Sequence, residues 1–130
     1  MTLRRYLQSR YVRGGRVWPE LDCLGLVRLV RHEMFGRELM PMCTAAEPGN
    51  FREITRAVGD VAGVLDMYEC ERRPGAVATA WLASLCVHVG IVVEADGRQW
   101  ILETDTPAGP AMTPISVFEK RYSRVIYYDD

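Results

Sequence analysis

LDCLGLVRLVRHEMF, residues 21–35, is the stretch from which the fold is read. Cys23, Leu26, Val27, Val30 and Met34 recur at offsets of three, four, seven and eleven, which puts all five on one face of a helix. Arg28, Arg31 and Glu33 fall on the other faces. Asp22 is a helix-start residue, and Gly36 suits a helix C-terminus. The chain just ahead, with Gly14-Gly15 and Trp18-Pro19-Glu20, reads as loop. Cys23 therefore belongs to the first helical turn. Unpaired N–H groups and the partial positive charge of a helix end favour a thiolate over a thiol there. The same place also suits a small cysteine buried in a core.

At 130 residues the chain is expected to form one domain, residues 1–130, around a single core. Its 16 basic and 17 acidic side chains nearly cancel, so there is no electrostatic case for nucleic acid. No apolar run is long enough to span a membrane. The N-terminal MTLRRYLQSR lacks the apolar segment of a signal peptide, so the chain is expected to be cytoplasmic when made. Cys23, Cys43, Cys70 and Cys86 form no C-x-x-C pair and no zinc-ligand pattern. Free thiols, no metal and no cofactor are the expectation. Cys43, Cys70 and Cys86 read as structural, with Cys86 on the same strand and side as His88 by alternation.

Along the chain, residues 2–9 read as a short helix and residues 11–20 as a loop. Residues 37–48 connect, with Pro41 and Pro48 discouraging helix. Asn50-Phe51-Arg52-Glu53 resembles a capping box and opens a second helix, with Phe51, Ile54 and Val58 inward and Gly59 or Gly63 ending it. Residues 64–70 read as a strand, 71–74 as a turn, and 76–84 as helix or extended loop. Residues 85–94 are a strong strand, and Asp96-Gly97 supplies the positive φ angles of a hairpin to a returning strand at 98–104. Residues 106–114 carry three prolines and read as loop; 115–120 read as a helical turn and 124–128 as a last strand. Helices followed by an antiparallel meander define an α+β class with helices packed on a sheet.

Two histidines are present. His32 lies among charged residues mid-helix and is expected to face solvent. His88 sits in the apolar run CVHVGIVV, where a polar ring needs a partner. It reads either as a satisfied core histidine or as the general base for a thiol. A helix-start cysteine facing a histidine on a later strand is the arrangement of papain-like proteases.

YVRGGRVWPELDCLGLVRLV resembles the active-site segment of the NlpC-type peptidoglycan cysteine peptidases: a tyrosine, paired glycines, a short loop, then Asp-Cys-x-Gly-Leu-Val. HVGIVVEADGRQWIL is similar to that family's histidine hairpin, and GDVAGVLDMY, less closely, to its Gly-Asp segment. The resemblance covers residues 11–102. It implies a papain-like fold, Cys23 as nucleophile, His88 as base, and hydrolysis of amide bonds in peptidoglycan stem peptides, of the D-glutamyl–diamino acid type. A bulky Leu24 after the cysteine is similar to the phage-associated branch, which implies other phage tail proteins as partners. Tyr11 and Asp22 match family positions near substrate; a loop-anchoring aromatic and a helix cap are the alternatives.

The family carries a third polar residue on the strand after the hairpin. Pairing around Asp96-Gly97 sets Leu102 opposite Ile91, where that residue is expected, and leucine accepts no hydrogen bond. Glu103 is expected on the other face unless a bulge shifts it. Glu103, a backbone carbonyl or a water are the candidates for the third catalytic position. The alternative function is a non-catalytic assembly module of the same fold.

Overall fold

The computed structural model describes residues 2–41 and 50–130. The expectations for Cys43 and Pro48 lie outside the described residues. The chain is a mixed α+β structure with antiparallel sheet, in the order α1 (Leu3–Leu7), β1 (Arg10–Tyr11), β2 (Arg16–Val17), β3 (Glu20–Leu21), α2 (Cys23–Phe35), α3 (Phe51–Val64), β4 (Tyr68–Cys70), β5 (Val77–Leu82), β6 (Leu85–Ala95), β7 (Arg98–Asp105), β8 (Gly109–Pro114), α4 (Ile115–Lys120) and β9 (Arg124–Asp129). The main sheet has six strands in the order β4-β9-β5-β6-β7-β8, and β1, β3 and β2 form a small sheet of their own.

α2 forms as its sequence predicts. The Asp22 side chain accepts from the Gly25 N–H, and Gly36 ends the helix at φ 64°. Leu26, Val27 and Val30 are fully buried, each worth about 1.5–3 kcal/mol. They join Val89, Ile91 and Val93 of β6 in the larger core cluster, with Ile54, Ala57 and Val61 of α3. A second cluster holds Val92, Ile101 and Phe118, so α4 helps to cover the other side.

Several expectations are corrected. Arg31 does not face outward: it is fully buried, donating to the Gly75 carbonyl (2.6 Å), Asp129 (2.8 Å) and Asp130 (2.7 Å). α3 runs through both Gly59 and Gly63 to Val64. Apart from the adjoining helix backbone, nothing lies within 4 Å of where a Cβ would sit on either, and the helix's apolar face, held by Ile54, Ala57 and Val61, outweighs their low propensity. Of the strand expected at residues 64–70, only Tyr68–Cys70 is strand. The ambiguous stretch is β5, paired to both β6 and β9. Residues within the proline-bearing loop form β8, an edge strand, where Pro110 and Pro114 break no interior ladder. Short strands also occupy the expected loop ahead of α2.

The hairpin matches its sequence signal. Asp96 and Gly97 take φ of 54° and 72°, and Ile91 pairs with Leu102.

Candidate active site

Asp22 builds the start of α2. Its Oδ1 accepts from Gly25 N (2.8 Å) and from the buried Arg16 guanidinium, and its Oδ2 accepts from Gly14 N (3.1 Å). The paired glycines let this loop close on the helix. A Cβ on Gly25 would lie 2.0 Å from the Gly15 carbonyl oxygen, so Gly25 packs against the loop and not against the sheet. The Asp22 carbonyl takes Leu26 N (2.9 Å), so the cap uses the N–H groups of Gly25 and Leu26. Those of Cys23 and Leu24, the two residues just before them, lie outside that cap.

His88 comes from β6 at a bulge. Ala80 pairs with His88 and Trp81 with Cys86, which leaves Val87 as the extra residue. The bulge corrects the expected placement of Cys86. Its thiol is buried in the larger cluster with Val89 and Ile91, away from the side His88 takes. Burial pushes the Cys86 thiol up to about 12.

His88 is buried, with its ring 6.1 Å from Phe118 and 6.5 Å from Tyr122. Its Nε2 lies 3.0 Å from Glu103 Oε1, and its Nδ1 lies 3.8 Å from Asp105 Oδ2. Cys23 lines the same cleft as this imidazole, near enough to act on its proton affinity. Burial by itself lowers the proton affinity of His88. Hydrogen bonds with Cys23 and Glu103, and the negative charges of Cys23 and Asp105, outweigh it and raise the imidazole to about 10.

Glu103 reaches His88 without a bulge in its own hairpin. Ile91 opposite Leu102 puts Gly90 opposite Glu103, and residues 88 and 90 share a face. A Cβ on Gly90 would lie 3.6 Å from the Glu103 Cβ. The expectation that Glu103 points to the other face is therefore corrected: Leu102 is the residue on the other face, in the core with Ile91. Thr113 of β8 donates to Glu103 Oε2, and Arg121 Nη1 donates to both oxygens at 3.0 Å. Burial favours the neutral acid, but hydrogen bonds with His88 and Thr113 and the charges of His88 and Arg121 hold the Glu103 carboxyl below its usual range.

Cys23, His88, Tyr11, Asp22, Asp105 and Thr106 line one cleft of about 240 Å³, with Phe51, Ile54 and Val87 giving it an apolar wall. Burial, then the charges of Cys23, Asp22 and Asp105, push the Tyr11 phenol up to about 12, so it enters the cleft as a neutral hydroxyl. All five sequence-derived candidates, Cys23, His88, Glu103, Tyr11 and Asp22, are thus brought to one place. Asp105, Arg121 and Thr113 escape the sequence reading. Carrying the hairpin register three residues past Ile91–Leu102 puts Asp105 opposite His88, so that signal is present. Nothing in the sequence pairs Arg121 with Glu103. His32 is exposed, with Nδ1 2.9 Å from the Arg37 carbonyl, and stands apart. Among the described residues, no group of three His, Cys, Asp or Glu side chains could hold a metal ion.

No family model matches this chain, and no curated protein sequence matches it.

Proposed function

We propose that this chain is a papain-like, NlpC-type cysteine endopeptidase or amidase. The proposed substrate is the amide bond of peptidoglycan stem peptides, of the D-glutamyl–diamino acid kind, and the proposed setting is a phage or prophage tail. The observation that carries the chemistry is the line of Cys23, His88 and Glu103. A cysteine at a capped helix start shares a cleft with an imidazole whose Nε2 is 3.0 Å from a buried carboxylate. Substrate class and setting come from the resemblance of residues 11–102 to that family.

In this reading His88 takes the Cys23 proton, and the thiolate–imidazolium pair forms. The sulfur attacks the substrate carbonyl. The Cys23 and Leu24 N–H groups, outside the Asp22 cap, stabilise the oxyanion. The imidazolium gives its proton to the leaving amine. Water, deprotonated by His88, then releases the acyl group from Cys23. Glu103 keeps the ring oriented throughout. A non-catalytic assembly module would be favoured by a histidine without a partner, and Glu103 supplies that partner.

The test is incubation of purified peptidoglycan fragments with wild type and Cys23→Ala, with products identified by mass spectrometry. Cleavage by wild type alone is expected. No cleavage by a folded wild type would turn the assignment toward the assembly module.

A further inference from the structure

We propose that Arg121 is a positioning residue for His88, acting through Glu103. It fixes the carboxylate against Nε2 and draws off part of its charge, so that the imidazolium can pass its proton on instead of remaining locked in an ion pair. The inference rests on the reading of Cys23 and His88 as nucleophile and base.

A buried carboxylate 3.0 Å from an imidazolium is a strong trap for the proton, because little water screens the pair. A general acid needs the opposite, a proton it can release. Here the carboxylate is shared. Glu103 Oε1 faces both His88 and Arg121, while Oε2 faces Thr113 and Arg121. Donors from β6, from β8 and from the turn after α4 leave the carboxylate no freedom to rotate. The Arg121 side chain is 43% exposed, so filling the core does not account for its place. Its guanidinium lies 5.9 Å above the Phe118 ring, the same ring that stands behind His88.

The titratable groups around His88 come from four elements. They are Asp22 and Cys23 at the start of α2, Glu103 and Asp105 of β7, Tyr11 of β1 across the cleft, and Tyr122 and Arg121 following α4. Within this set Arg121 is the cation, and it sits on the carboxylate that orients the ring.

The experiment is a titration of the imidazole signals by NMR in the Cys23→Ala protein, which removes the coupled thiol. His32, exposed and far from the cleft, is the internal reference. Removing a cation from Glu103 strengthens its hold on the imidazolium. The His88 midpoint should therefore rise by about one pH unit in Arg121→Met, and Arg121→Lys should restore most of it, with His32 unmoved. Arg121→Gln, also uncharged, is the second variant and should rise likewise. A His88 midpoint that stays put or falls in a folded uncharged variant overturns the inference. The titration uses neither substrate nor thiol, so its failure is separate from a failure of Cys23 to turn over a peptide.

Discussion

His88 stands between two carboxylates, Glu103 on Nε2 and Asp105 near Nδ1, with Cys23 beside it. Held at about 10, the imidazole remains protonated next to the sulfur across the neutral range. For the proposed peptidase, turnover should therefore be lost as pH rises through that region and not near pH 7. Glu103→Gln removes a charge that raises His88. It should lower turnover by about 10²-fold and bring the alkaline limb down toward neutrality. A pH–rate profile measures both, and an unmoved limb would show that Glu103 does not set the base. Much of this constellation is legible in the sequence. Cys23 follows a helix-start aspartate, and His88 is a lone polar ring in an apolar run. The face of Glu103 is misread when parity is counted from Ile91, because the reference that matters is His88, three residues earlier and of opposite parity.

At the scale of elements, the start of α2 joins helix cap, glycine loop and buried ion pair. An ordinary cap contributes about 1 kcal/mol. Asp22 also neutralises Arg16, and both side chains are nearly inaccessible. Asp22→Ala should cost about 3–5 kcal/mol in denaturant unfolding, since it leaves a buried guanidinium without its carboxylate. A loss near 1 kcal/mol would reduce Asp22 to its cap. α2 and the β6–β7 hairpin are legible because period, cap and turn chemistry agree. β8 is not, because prolines read as loop when the strand's place at a sheet edge is unknown. The β6 bulge also lacks a local signal, so strict alternation misplaces Cys86.

At the scale of the whole molecule, Arg31 ties α2 to the last strand. Asp129 accepts from Arg31 (2.8 Å), Arg37 (3.1 Å) and Arg73 (2.9 Å), joining the ends of α2 and β9 to the turn before β5. Burial favours its neutral form, but hydrogen bonds from Arg31 and Arg73 hold the Asp129 carboxyl down at about 2. Its stabilisation is full above the ordinary aspartate range and is lost as pH falls toward 2. Asp129→Ala should destabilise by about 3–5 kcal/mol and flatten the acid side of the stability–pH curve. Thermal unfolding between pH 2 and 6 measures this, and a parallel curve would remove Asp129 from the clamp. This network is illegible in sequence: a charged residue on a helix reads as exposed, and its partners lie 98 and 99 residues away. Among the described residues, no helix is long and apolar enough to cross a membrane.

The pairing of Cys23 with His88 is tested most directly by the rate of iodoacetamide labelling near neutral pH, resolved cysteine by cysteine. We expect Cys23 to react selectively and His88→Ala to slow it by about tenfold or more. Equal labelling of every accessible cysteine, unchanged by His88→Ala, would contradict a thiolate–imidazolium pair at the start of α2.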